Sequence, residues 1–243
     1  MRRLLLPLLL TGLLTVPTPA LAPAGAAPSP DRPARAGSEV RLDGVTVQLR
    51  KRTRQVVTVN RTKGYHARVT YWTKNGGTWR ERFQTRDGAI GYNGLVRRKK
   101  RVQGSGKTPL GTFRLPWAFG MNAERPRWDN SYRKVRKGDY WVLDNKSDHY
   151  NRYRNKSQGG FRWRLPSSDP NSSERLKDYP KQYEFSFVTS FNAGQVRHRG
   201  GAIFLHVNGS GATAGCVSAP RPFLRRLMAH VHQRRVPVIA IGR

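Results

Sequence analysis

The sequence predicts a mainly β fold of the β-rich α+β class, on three observations. Between Val45 and Thr85, β-branched and aromatic residues recur in short runs separated by turn residues. From Arg97 to Ser173 the chain shows little helical periodicity. A single clear helical stripe stands near the C-terminus.

Taken in order, Val45–Leu49, Gln55–Asn60, Ala67–Trp72 and Thr78–Thr85 read as antiparallel strands. Thr62-Lys63-Gly64 and Asn75-Gly76-Gly77 separate them, and the second is a strong hairpin cue. The segment from Arg97 to Ser173 reads as loop-rich and is dense in Trp, Tyr, Arg and Lys. Within it, Gly104-Ser105-Gly106-Lys107-Thr108 reads as a turn leading into a strand. A phosphate loop would need glycine where Arg101 stands, and Pro109 disfavours a helix starting there. Trp117, Phe119, Trp128, Tyr132, Trp141 and Trp163 are expected to serve mostly as core. Tyr183–Phe191 and Ala202–Val207 read as further strands. Pro220–Arg235 is the predicted helix, with Ser218 as its cap, Pro220 early in it, and Leu224, Leu227, Met228 and Val231 as its apolar stripe. Val236–Ile241 reads as the last strand.

Ahead of these elements, Arg2 and Arg3 precede the apolar run Leu4–Val16, which is too short to cross a bilayer, and small residues follow. This predicts a signal peptide over 1–26 with cleavage after Ala24-Gly25-Ala26, a linker over 27–44 and one domain over 45–243. Membrane association is expected only through an uncleaved signal. The chain carries 46 Lys+Arg against 14 Asp+Glu, a net charge of +32, so it will associate with polyanions. For an exported protein these are anionic cell-wall polymers and not nucleic acid. The basic run Arg97–Arg101 accordingly reads as a solvated loop. His230 and His232 do not share a helix face, and His66, His149 and His198 have no ligand-like spacing. Neither a metal nor a cofactor is expected, and the protein is expected to be a monomer.

The segment that carries chemistry is Ile203–Ser218. An apolar strand delivers His206 near its end, and a loop of small residues leads to Cys216, the sole cysteine, shortly before the predicted helix. A thiol attacks carbonyls as thiolate, a neighbouring imidazole can take its proton, and a helix N-terminus favours the anion. Gly215 permits close approach of a substrate, and backbone N–H groups at Gly215 and Cys216 are candidates for an oxyanion hole.

At these residues the sequence resembles the L,D-transpeptidase catalytic-domain family. His206 is followed by Thr213-Ala214-Gly215-Cys216-Val217, similar to the family's Ser/Thr-x-Gly-Cys signature. Thr108-Pro109-Leu110-Gly111-Thr112-Phe113 resembles an upstream signature, and Tyr140-Trp141-Val142, Asp144 and Tyr150-Asn151 resemble the segment between the two. The resemblance spans Val56 to Ile241. Many members carry a second histidine where this chain has Ala214. The resemblance implies a β-sandwich-like catalytic fold with a C-terminal helix and strand. It also implies a cysteine acyltransferase acting on peptidoglycan peptide stems: Cys216 forms a thioester with a tetrapeptide stem and releases D-alanine, and the amine of a second stem completes a 3→3 cross-link. Water as acceptor would make it an L,D-carboxypeptidase, a protein amine would make it an anchoring enzyme, and a non-catalytic basic wall-binding protein is the alternative from another class. Thr213, Thr108 and Tyr150 join Gly215 as candidate pocket residues.

Overall fold

The computed structural model describes residues 37–243. The expected signal peptide and most of the expected linker lie outside these residues. The end of the linker does not remain irregular: β1 (Glu39–Leu42) pairs antiparallel with β2 (Val45–Gln48). Leu42, Val45 and Val47 are buried beside Val56 and Val238, so this hairpin has its own small core.

β3 (Gln55–Arg61), β4 (His66–Asn75) and β5 (Thr78–Ala89) form the expected meander. Gly76 and Gly77, at φ +53° and +90°, turn the chain between Asn75 and its partner Thr78, as a type I′ hairpin turn requires. The segment expected to be loop-rich, with a strand after Thr108, holds several short strands: β6 (Leu95–Arg97), β7 (Thr108–Arg114), β8 (Trp117–Gly120), β9 (Tyr132–Lys134), β10 (Asp139–Trp141) and β11 (Tyr153–Asn155). They are ordered by pairing with strands distant in sequence, which periodicity within a short run does not reveal. β12 (Glu174–Arg175), β13 (Phe185–Val188), β14 (Phe204–Val207), β15 (Val217–Ala219), α1 (Arg221–His230) and β16 (Val238–Gly242) complete the order.

Among the described residues there is one sheet of eleven strands, in the order β6-β7-β16-β3-β4-β5-β15-β14-β13-β8-β9, and a three-stranded sheet β11-β10-β12. The fold is mainly β with one α-helix, as predicted. That helix is shorter than predicted, ending at His230, with Val231 already extended. Ser218 does not cap it. Ser218 lies in β15, paired with His206, and Pro220 stands at the cap position without a side-chain bond. Val236 has φ +48°, so the last strand starts at Val238.

Strand alternation divides β13–β15 into two faces. Phe185, Phe187, Leu205, Val207, Val217 and Ala219 join Phe223, Leu224, Leu227, Met228 and Val231 in the main core under α1. Val188 and Phe204 point the other way and pack with Phe119, Trp141, Leu176 and Tyr183. The rings of Trp141 and Phe204 meet nearly perpendicular with centroids 4.9 Å apart, which docks the small sheet on this second face.

Candidate active site

β14 and β15 run parallel, with Leu205 opposite Val217 and His206 opposite Ser218. Cys216 immediately precedes β15, so the register puts it beside Phe204 and on the same face as His206, one diagonal step away. Both residues line a cavity of about 750 Å³ that Thr213, Ala214, Ala202, Tyr183 and Glu174 also border.

His206 is buried, and its Nδ1–H donates to the Val207 carbonyl at 2.8 Å. That bond fixes the tautomer and leaves Nε2 unprotonated. Burial lowers the imidazole pKa to about 4, against the opposing pull of the Val207 bond. The Cys216 thiol donates to the Ala202 carbonyl at 3.0 Å and accepts the Phe204 N–H at 3.4 Å. Ala202 holds its carbonyl there at φ +51°, a conformation costly for a residue with a Cβ. Burial pushes the thiol up to about 12, with the negative charge of Glu174 adding to the rise, while the Phe204 bond and Arg101 oppose it. Both shifts favour a resting thiol and neutral imidazole over an ion pair. The extended strand β15 stands between Cys216 and the N-terminus of α1, which weakens the predicted help from that helix end.

The turn that carries Cys216 is clamped from two sides. Thr213 Oγ1 donates to the Cys216 carbonyl at 2.7 Å and accepts the Gly215 N–H at 3.2 Å. Thr108 Oγ1 accepts the Gly91 N–H at 2.8 Å and directs its proton to the carbonyls of Gly215 at 2.8 Å and Cys216 at 3.2 Å. Gly215 sits at φ +133°, where a Cβ would stand 3.0 Å from both an Arg101 nitrogen and the Lys107 carbonyl. Of the candidate pocket residues, Thr213 borders the cavity, and Thr108, Tyr150 and Gly215 do not. Thr108 is fully buried behind the cysteine turn. Tyr150 is fully buried too; its hydroxyl donates to Gln103 at 2.6 Å and accepts the Gly200 N–H at 2.8 Å, so it supports the loop before β14.

Sequence reasoning missed three side chains. Arg101, grouped with a solvated basic run, is buried and lines the cavity. Its Nε donates to the Lys107 carbonyl at 2.8 Å, and one terminal nitrogen donates to Val102 and, at 3.3 Å, to Arg199, while no carboxylate pairs with it among the described residues. Nothing in the run Arg97–Arg101 marks its last member as different. Tyr183 places its ring 5.5 Å from that of His206, nearly perpendicular, and its hydroxyl donates to Glu174. Glu174 stands between Asp169 and Asp178 in the sequence, and nothing there marks it as the acid that reaches the cavity. Among the described residues no group of three or more His, Cys, Asp or Glu comes together to hold a metal.

The solved structures to which the chain is similar are distant. The helical cell shape determining protein Pgp2 from Campylobacter jejuni shares 16% identity, with 87% of this chain covering 51% of that one at a TM-score of 0.43. Bd1075 from Bdellovibrio bacteriovorus shares 15%, with 78% of this chain covering 48% of that one at a TM-score of 0.39. The chain thus spans about half the length of these solved proteins. No curated protein matches it. At the level of sequence pattern, residues 54–239 match the L,D-transpeptidase catalytic domain, YkuD, and that match covers both the histidine strand and the cysteine turn. By that match the chain belongs to the L,D-transpeptidase catalytic-domain family.

Proposed function

We propose that the protein is an exported L,D-transpeptidase of peptidoglycan that works through a Cys216 thioester. The observation that carries this reading is the placement of Cys216 and the unprotonated Nε2 of His206 on one sheet face, at one cavity. As the sulfur attacks the carbonyl of the third residue of a tetrapeptide stem, Nε2 takes the thiol proton. It then gives that proton to the amine of the departing D-alanine. The resting pair is neutral, so charge separates only when substrate arrives. Arg101, a buried cation without a carboxylate partner, offsets the negative charge that then develops near Gly215 and Cys216. Transfer of the acyl group to the amine of a second stem gives the 3→3 cross-link.

The family and the +32 charge support a location at the cell wall, with residues 1–26 as the export signal and a single catalytic domain behind a short linker. No helix among the described residues is long and apolar enough to cross a membrane. Purified protein incubated with disaccharide-tetrapeptide fragments should release D-alanine and form dimers, while Cys216→Ala should do neither. Shortened monomers without dimers would make it a carboxypeptidase. Wall binding without any D-alanine release would make it a binding protein.

A further inference from the structure

The cavity holds a titratable group that thioester formation does not use. Glu174 in β12 sits opposite Trp141, and its carboxylate accepts the hydroxyl of Tyr183, whose ring meets His206. Glu174, Tyr183, His206 and Cys216 border the same space. In a chain with 46 basic residues, Glu174 has no Lys or Arg in ion-pair contact among the described residues. Desolvation raises its carboxyl to about 7, with the Tyr183 bond opposing. Its charge also raises the thiol of Cys216. A carboxylate that hinders formation of the nucleophile is out of place in the first half-reaction, but its chemistry suits the second. The acceptor amine arrives as an ammonium ion, which cannot attack until it loses a proton. A carboxylate at the cavity that holds the thioester attracts that cation and can receive the proton.

We propose that Glu174, held by Tyr183, binds the acceptor's ammonium group and takes its proton, and so selects an amine over water as acceptor. This rests on the thioester reading above. The ammonium gives one proton to the Glu174 carboxylate. The freed nitrogen lone pair forms the C–N bond and the C–S bond breaks. The second nitrogen proton passes through Nε2 of His206 to the departing sulfur, which regenerates the thiol. Glu174 then releases its proton to solvent.

The test separates the two half-reactions in the full-length protein. Acylation of Cys216 by a carbapenem is followed by mass spectrometry, and the ratio of cross-linked dimers to hydrolysed tripeptides is measured with disaccharide-tetrapeptide fragments. In Glu174→Gln, acylation should proceed at least as fast as in the wild type, because a charge opposing the thiolate is gone. The dimer-to-tripeptide ratio should fall at least ~100-fold, the low end for a lost general base. Tyr183→Phe should lower the ratio less. An unchanged ratio in Glu174→Gln would overturn the inference, as would a variant that no longer acylates, since Glu174 would then be structural. Wild-type protein that never acylates would overturn the thioester reading and this inference with it.

Discussion

The two faces of β13–β15 are built from alternate residues of the same strands and have opposite characters. One face is dry and continuous with α1 through Leu205, Val207, Leu224 and Leu227. The other carries His206, Cys216, Ser186 and Ser218 among aromatic neighbours, and there buried polar atoms lack partners. The first face stabilises the domain by ordinary burial, at roughly 1.5–3 kcal/mol per large apolar side chain. The second spends stability on a desolvated thiol and imidazole. Substitutions on the two faces should therefore fall on different measurements.

The largest separation is expected between Cys216→Ala and Leu227→Ala. Cys216→Ala should cut D-alanine release by at least ~10³-fold, because a residue acting as nucleophile is not replaced by its neighbours. Its urea midpoint should stay near that of the wild type. Leu227→Ala should lower stability by about 2–5 kcal/mol through loss of burial and the cavity left behind, with activity retained wherever the protein is folded. A Cys216→Ala variant with full activity would remove the distinction altogether.

Thr108→Val tests the clamp behind the site. The variant keeps the shape but leaves the Gly91 N–H and the Gly215 carbonyl without their partner. Each unpaired buried group costs about 1–3 kcal/mol. A shifted cysteine turn should lower kcat by ~10–100-fold through misorientation. Unfolding curves and steady-state rates on the same samples check both, and a stability loss without a rate loss would detach Thr108 from the site.

How much of this was legible follows from the kind of information each face needs. The strands and the His206–Cys216 relation were readable because alternation and a short connecting loop are local. Ser218 was misread as a cap because Ser-Ala-Pro before an amphipathic run looks the same whether or not a parallel strand occupies it. Arg101 and Tyr150 exchanged expected roles, one moving to the cavity and the other behind it, since burial of a loop side chain depends on what packs over it. Apart from the strand after Thr108, the short strands between Arg97 and Ser173 were hidden for the same reason.

A smaller effect comes from pH. Buried His206 has a folded-state pKa of about 4 against the usual 6.5, so the unfolded chain binds the proton first as pH falls. Its contribution should be intact above about pH 6.5 and fall as pH drops toward 4, by on the order of a few kcal/mol. Urea midpoints at pH 7 and pH 4.5 should differ more for the wild type than for His206→Gln. Equal differences would mean that the imidazole is not desolvated in solution.

The smallest effects are expected beside the histidine. Ser186 and Ser218 flank His206 in register on the two neighbouring strands, both fully buried with hydroxyls that find no partner among the described residues. Their small size leaves room for the ring, and their hydroxyls contribute no bond that folding would lose. Removing an unpaired buried hydroxyl is nearly neutral or stabilising, so Ser186→Ala and Ser218→Ala should each change stability by less than ~1 kcal/mol. Larger residues are a different case: Ser218→Leu would have to displace the ring of His206 and should lower D-alanine release at least ~10-fold while the alanine variant retains it. If Ser218→Ala instead lost activity with its stability unchanged, that hydroxyl would be touching the substrate or the Nε2 proton, and the polar face would hold one more working group than its resting contacts reveal.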